Sequence, residues 1–361
     1  NPSILYRMVP AIHGLASVLT CCALLNYCYQ HIASLHLFLK GLGLALSFLT
    51  ILQKMSCLMF YRQRLVKLHA DLAMTFNLDL NDIELRPILL SPLLSFYRPS
   101  LILSTVTYLV IVIYWITPIL LIIIQLSRGV NVLKFILPFP ASYPWQPNVN
   151  TWLYLGHYTF EIYAGICLGS FTSSIDSLFG FYIFQISGQL RTLSHRIKNL
   201  KSQHNYRKII SECMNRHQIL TRCQDHLERI YGPIVLWMLV TNAMVMCALI
   251  YQAAHVSPTK AAIIGLYIVL KSVQTLVYGW FGTFLETENN KFREAIYASD
   301  WAGSGEKCLM TDVLIMMTYK PFVLKACSLS NISIDMFVAV SNTAISYYFM
   351  LRTLEEQDNN L

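Results

Sequence analysis

Ile332 to Leu354 is helix-length and mostly apolar, yet it repeatedly places groups that bind water. Asp335, Ala339, Asn342, Ser346, Met350 and Thr353 follow one another in steps of three and four, which sets all six on one helical stripe. Two kinds of chemistry suit such a stripe. It can line a water-filled path for ions, small and polar at first and narrowing at Met350, or its Ser, Asn and Thr can hold neighbouring helices together inside a membrane. The opposite face carries Phe337, Val338, Ile345 and Phe349. Glu355, Glu356 and Asp358 follow at once, as a solvated tail or as carboxylates that concentrate cations at a channel mouth.

Catalytic chemistry lacks its parts. His13, His69, His157 and His255 stand apart from one another, and there is no HExxH, no GxSxG and no Gly-rich phosphate loop. The ten cysteines form no CxxC and no regular spacing, so neither a zinc site nor a disulfide framework is expected. We therefore expect no enzyme, no metal and no cofactor.

Composition names the solvent of the elements that carry these residues. Charged residues make up 13% of the 361, against about 25% in an average soluble domain, and hydrophobic ones 55%. The chain opens at Asn1 without a Met, so preceding residues are expected; Met8 to Tyr29 is long enough to span and has no cleavage pattern. Seven apolar stretches can cross about 30 Å of hydrocarbon, near 8–29, 36–60, 99–126, 157–187, 232–254, 260–285 and 330–354. This is an all-α membrane protein. Leu309 to Ala326 is apolar too, but its Pro321 argues for a break and a short helix before the last span.

Lys and Arg set the orientation. Of the 27, twenty fall in the N-terminal segment and the loops after spans two, four and six, four fall on the other side, and Lys40, Lys54 and Lys271 lie within spans. The positive-inside rule then puts the N-terminus in the cytoplasm and the C-terminus outside, the reverse of a G-protein-coupled receptor. The net charge of +8 follows from this asymmetry, and no basic, aromatic-rich patch points to nucleic acid. The Pro-rich stretch 127–156 is an expected outer lid. The basic stretch 188–230, with Leu190, Leu193, Ile197 and Leu200 on one face, is an expected cytoplasmic extension of spans four and five.

Four segments resemble the insect odorant receptor family: "SSIDSLFGFYIFQISGQLRTLSHRI" (Ser173–Ile197), the His217-centred "ISECMNRHQILTRCQDHLERIYGPIVLWML", "YASDW" (Tyr297–Trp301), and the C-terminal "LIMMTYKPFVLKACSLSNISIDMFVAVSNTAISYYFML". Cys327 departs from a position often Gly in that family, and Ile345 from its Ser-Tyr-Ser stretch. The resemblance implies a seven-helix subunit of a tetramer with one central pore, gated by volatile odorants and weakly selective for cations. It also implies hetero-tetramers with a shared co-receptor. That co-receptor has a longer second cytoplasmic loop than the roughly 40 residues here, so this chain resembles a ligand-tuned subunit. Residues 1–300 would form spans one to six with the pocket, and 301–361 the anchor helix and pore helix. A gustatory receptor of the same superfamily is the nearest alternative, ahead of a seven-span receptor or transporter without a pore.

The same resemblance assigns candidate sites. Asn342, Ser346, Met350 and Thr353 would line the pore, with Met350 its hydrophobic gate. A small, volatile, apolar ligand would lie in the outer half of the bundle, among Leu42, Leu46 and Leu49; Ile113, Tyr114 and Thr117; Tyr158, Ile162 and Ile166; and Tyr267, Leu270, Lys271 and Gln274. Lys271 lies about 11 residues into its span, roughly 17 Å deep, where a charge costs about 3 kcal/mol or more unless paired or watered. It is either functional, or a lysine that snorkels or pairs with Glu161 for structure alone. Asp176 and Lys54, near span ends, read as a structural pair. Membrane lipid and permeating cations complete the expected partners.

Overall fold

The computed structural model describes residues 4–129, 135–145, 150–199, 206–299, 307–318 and 322–358. Among them the elements are helices apart from one short hairpin, joined by irregular segments that include 135–145. Seven helical stretches are long and apolar enough to cross a membrane, as the sequence pattern requires.

Helix α1 (Ile4–Gln30) packs on α2 (Leu35–Phe60), which is followed by α3 (Arg62–Asn81) and the single turn α4 (Arg86–Leu90). Helix α5 (Leu93–Ser127) is apolar almost all round. Leu101, Ile102, Leu109, Ile116, Leu120 and Ile123 are exposed along it, a surface that only lipid solvates at low cost. Helices α6 (Thr151–Lys198), α7 (Tyr206–Ala254) and α8 (Pro258–Tyr297) have 48, 49 and 40 residues. At 1.5 Å per residue a 48-residue helix is about 72 Å long, more than twice the hydrocarbon thickness, so each runs on well past it. That is the expected extension of spans four and five. Leu190, Leu193 and Ile197 are buried on its inner face, while Leu200 lies outside the described residues.

Helix α7 is the axis of the bundle and packs against α2, α3, α6, α8 and α10 (Ile334–Asp358). The largest apolar core joins α6, α7 and α8 through Phe179, Tyr231, Tyr278, Phe281 and Phe292. Polar clamps close the extension. Asp79 Oδ1 accepts from Arg196 and Arg216, its Oδ2 accepts from Thr192, and Arg191 grips Glu288 with two hydrogen bonds of 2.7 Å. His217 stacks on Phe292 with ring centroids 5.0 Å apart and meets Phe322 edge-on.

The short helix expected before the last span is present, and a hairpin that was not expected follows it. Helix α9 covers Lys307–Thr318, and the chain then forms an antiparallel hairpin, β1 (Lys325–Ala326) on β2 (Ser330–Asn331). Its turn holds Cys327 and Ser328 at φ of 52° and 62°, the left-handed region that favours glycine. Lys320 and Pro321, and Asp300 and Trp301 of the YASDW segment, lie outside the described residues.

Candidate functional site

A cavity opens among α2, α5, α6 and α8, and each wall follows helical spacing. Helix α8 presents Tyr267, Leu270, Lys271 and Gln274, and α5 presents Thr107, Val110, Ile111 and Tyr114; both sets run i, i+3, i+4, i+7. Helix α2 adds Leu44, Ser47, Thr50 and Lys54, and α6 adds Leu168 and Thr172. The space between these atoms, its open end included, is about 630 Å³.

Most of the lining is apolar or has its polar atoms already bonded. Tyr267 OH and Ser47 Oγ lie 2.6 Å apart, and Ser47 also donates to the Gly43 carbonyl at 3.1 Å. Thr50 Oγ1 donates to the Leu46 carbonyl at 2.7 Å and accepts from Trp237 Nε1 at 3.2 Å. Thr107 donates to the Leu103 carbonyl at 2.8 Å. At one end, Lys54 Nζ is paired with Asp176 Oδ1, and Asp176 also accepts from Tyr278 OH at 2.6 Å and from Gln274 Nε2 at 2.9 Å. Lys54 and Asp176 are thus the structural pair that their positions suggested.

The other end is closed by the loop between α5 and α6. Phe139 is 3% exposed and lines the cavity, its ring 5.7 Å from Phe48. Glu161 on α6 is wholly buried and fixes this loop by accepting from the Phe139 backbone N–H at 2.8 Å and from Tyr143 OH at 3.0 Å. Burial, reinforced by the Glu161 charge, pushes the Tyr143 hydroxyl well above its ordinary pKa, so it remains a donor. Ser142 N–H donates to the Ala23 carbonyl at 3.0 Å and Asn26 Nδ2 donates to the Ser142 carbonyl at 3.0 Å, tying the same loop to α1. Both carboxylate oxygens of Glu161 therefore serve the loop, and the suggested Glu161–Lys271 pair does not form.

Five of the expected ligand residues meet at this cavity: Tyr114, Tyr267, Leu270, Lys271 and Gln274. Leu46 and Leu49 pack in the shell behind it, with Val110, Tyr114 and Tyr267, and Leu42 lies partly buried beside them. Ile113 and Thr117 are half-buried further along α5, the Thr117 hydroxyl donating to the Ile113 carbonyl at 2.7 Å. Tyr158 is buried and donates to the Trp115 carbonyl at 2.6 Å; Ile162 is half-buried and Ile166 is 42% exposed. The sequence did not point to Leu44, Ser47, Thr50, Thr107, Val110, Ile111, Phe139, Leu168 and Thr172 as cavity wall, and it gave Lys54 only as a partner of Asp176. The one available signal was the helical spacing of Ser47, Thr50 and Lys54 on α2.

Helix α10 stands apart from the cavity. Met336, Val340 and Ala344 form its buried face, with Val340 and Ala344 against Ala243 and Met246 of α7. Asp335, Ala339, Asn342, Ser346, Met350 and Thr353 are all exposed in the isolated chain. Val338, Ile345 and Phe349, which the sequence puts on the opposite face, are exposed as well in the isolated chain, at 49%, 47% and 55%. Met336, Val340 and Ala344, in steps of four, make one stripe, and it is this stripe that α7 and α8 cover. The side chains of Glu355, Glu356 and Asp358 lie outside the described residues.

These features define a multi-pass helical membrane protein with an interior apolar cavity and an exposed polar stripe on its last span. The profile of the 7tm odorant receptor family matches residues 34–345, most of the chain, and the chain belongs to that family. It is similar to odorant receptor 13a of Drosophila melanogaster, 25% identical over 250 residues that cover 62% of this chain and 58% of that protein. It is also similar to the odorant receptor coreceptor of Anopheles gambiae, 24% identical over 159 residues, 43% of this chain and 33% of that one. The match thus spans less than two thirds of either relative. The fold is that of the insect olfactory receptor OR5 from Machilis hrabei, with a TM-score of 0.82 over 97% of this chain and 90% of that one, at 14% identity. A structure of the same receptor in complex with eugenol gives 0.81 at 15% identity.

Proposed function

We propose that this chain is the ligand-tuned subunit of an odorant-gated, weakly selective cation channel in the plasma membrane of sensory neurons. Its N-terminus is cytoplasmic and its C-terminus extracellular. A volatile ligand enters the cavity among α2, α5, α6 and α8 and opens a central pore lined by Asn342, Ser346, Met350 and Thr353 of α10. Four subunits, the shared co-receptor among them, surround that pore, with residues 301–361 as anchor and pore wall and 1–300 as the ligand-bearing bundle. The observation that carries this reading is the cavity itself, apolar in most of its wall and bonded internally at most of its polar atoms. Eugenol in a receptor of the same fold supports a small ligand, and the exposed polar stripe supports a wetted wall.

The mechanism turns on α8. Tyr267, Leu270, Lys271 and Gln274 touch the cavity, and about two and a half turns further on the same helix seats the entry to α10, where Ile334 N–H donates to Thr283 Oγ1 at 3.0 Å. A ligand that shifts α8 shifts the base of the pore helix, and the Met350 constriction widens and wets. A ligand of about 12 heavy atoms at roughly 0.5 kcal/mol each binds with about 6 kcal/mol, an affinity near tens of micromolar. The test is current recording from cells that express the chain with the co-receptor, against a panel of volatiles. Tyr114→Ala and Tyr267→Ala should weaken responses while surface labelling is retained. Unchanged dose–response curves in both would place the ligand elsewhere.

A further inference from the structure

Two lysines and one aspartate meet at one end of the cavity, and the aspartate is fully used. Asp176 accepts from Lys54 and Tyr278 on one oxygen and from Gln274 on the other. The Lys54 and Asp176 charges cancel, and Lys271 is left over. It is 8% exposed and lines the cavity, and among the described residues its ammonium makes no hydrogen bond and no ion pair. Its charge lies 5.7 Å from the centre of the Tyr267 ring, a contact that offsets only part of a buried cation's desolvation. The charged groups that act on it are Lys54, which repels, and Asp176, already paired. Glu161 is committed to Phe139 and Tyr143, and the Tyr267 hydroxyl to Ser47.

An ammonium has three donors, and a buried one needs acceptors and a countercharge. Among the described residues none accepts from Lys271, and the one carboxylate that acts on it, Asp176, is already paired with Lys54; a ligand can supply both. A neutral ligand would leave the set at two positive charges and one negative; a monoanion closes it to zero. We propose that the cavity is built for volatile carboxylic acids bound as carboxylates, the head on Lys271 and the hydrocarbon tail against Tyr114, Val110, Leu44 and Phe139. The assignment rests on the reading of this cavity as the odorant site and adds the chemical class of the ligand. Discrimination follows from the same charge count. A methyl ester or alcohol of equal length fills the apolar wall but leaves Lys271 uncompensated, so acids should act at concentrations lower by about tenfold or more.

The experiment compares hexanoic, octanoic and nonanoic acids with their methyl esters and with the matching alcohols, on the full chain expressed with the co-receptor. Acids are expected to evoke current at the lower concentrations. Lys271→Met should lower the potency of acid relative to its ester until the preference is gone, and Lys271→Arg should keep it. Equal potency of acid and ester in the unmodified protein would overturn the proposal, as would a Lys271→Met variant that shifts acid and ester alike. Melting of the purified, unmodified protein gives a readout that needs no variant: nonanoic acid must raise the midpoint more than methyl nonanoate, and equal shifts overturn the proposal. Robust currents with no acid preference would sink this assignment alone; no current with any volatile would sink the channel reading, while the melting comparison still decides the ligand class.

Discussion

Gly282 of α8 meets the carbonyl oxygen of Ile332 so closely that a Cβ on the glycine would sit 1.9 Å from it. One turn earlier, a Cβ on Gly279 would lie 2.5 Å from the Ser333 carbonyl oxygen. The strand that leads into α10 is therefore laid on bare α8 backbone, two turns from the residues that touch the cavity. Gly282→Ala has no room, because its neighbour is backbone rather than the end of a flexible side chain, and overpacking of this kind costs about 1–3 kcal/mol. Surface labelling and odorant current should both fall. Gly265→Ala on the same helix meets nothing within 4 Å and should be neutral or mildly stabilising. Equal behaviour of the two variants in labelling assays would contradict the seating of α10 on α8.

Lys54 and Asp176 form a buried pair whose members are unequal to lose. Asp176→Leu leaves two lysines without a countercharge and should destabilise by about 3–5 kcal/mol, seen as loss of a cooperative melt or of surface protein. Lys54→Met together with Asp176→Leu should recover much of that loss, since an apolar pair of similar volume avoids the desolvation of both ions. A double variant as unstable as the single one would show that Asp176 acts mainly through Tyr278 and Gln274.

Glu161→Ala removes two charge-assisted hydrogen bonds that hold the 135–145 loop, each worth about 1.5–3 kcal/mol. Phe139 should lose its fixed place in the cavity wall, and odorant potency should fall about tenfold or more while the extension helices stay intact. Dose–response curves that superimpose on the unmodified protein would separate this loop from ligand binding.

Topology has its own test. An epitope placed after Leu361 should be labelled on intact cells, following the excess of Lys and Arg on the N-terminal side. Labelling only after permeabilisation would invert the orientation.

Met350, exposed in the isolated chain, should act through size and dryness. Met350→Ser should wet the constriction and leave the channel leaky without odorant. A tight Met350→Ser channel would move the gate elsewhere.

Much of this architecture was legible in the amino-acid sequence, because membrane spans announce themselves by length and charge, and the inner face of 188–198 by its period. Lys54 and Asp176 were legible as charges that need each other. Phe139 was not: a Pro-rich loop carries no period, and its place in the wall depends on Glu161, far along the chain. The hairpin at Lys325–Asn331 was hidden for a similar reason, since two-residue strands are too short to alternate visibly. Helix α5 is apolar on nearly every face, so nothing in its pattern tells lipid from cavity; on α2, Leu46 and Leu49 stand behind the wall that Leu44 and Ser47 form.

The account stands or falls on whether α10 lines the path that odorant opens, and cysteine accessibility at Ser346 measures this most directly. In Ser346→Cys channels expressed with the co-receptor, a charged, water-soluble thiol reagent is applied with and without an activating volatile, and the loss of odorant-evoked current is followed over time. The account predicts rapid, irreversible block while odorant is present, slow block in its absence, and no block in the unmodified chain despite its exposed Cys22 and Cys327. Full current after prolonged exposure in the open state, with the same result for Asn342→Cys and Thr353→Cys, would contradict it: the stripe would be packing glue, and another helix would have to line the pore.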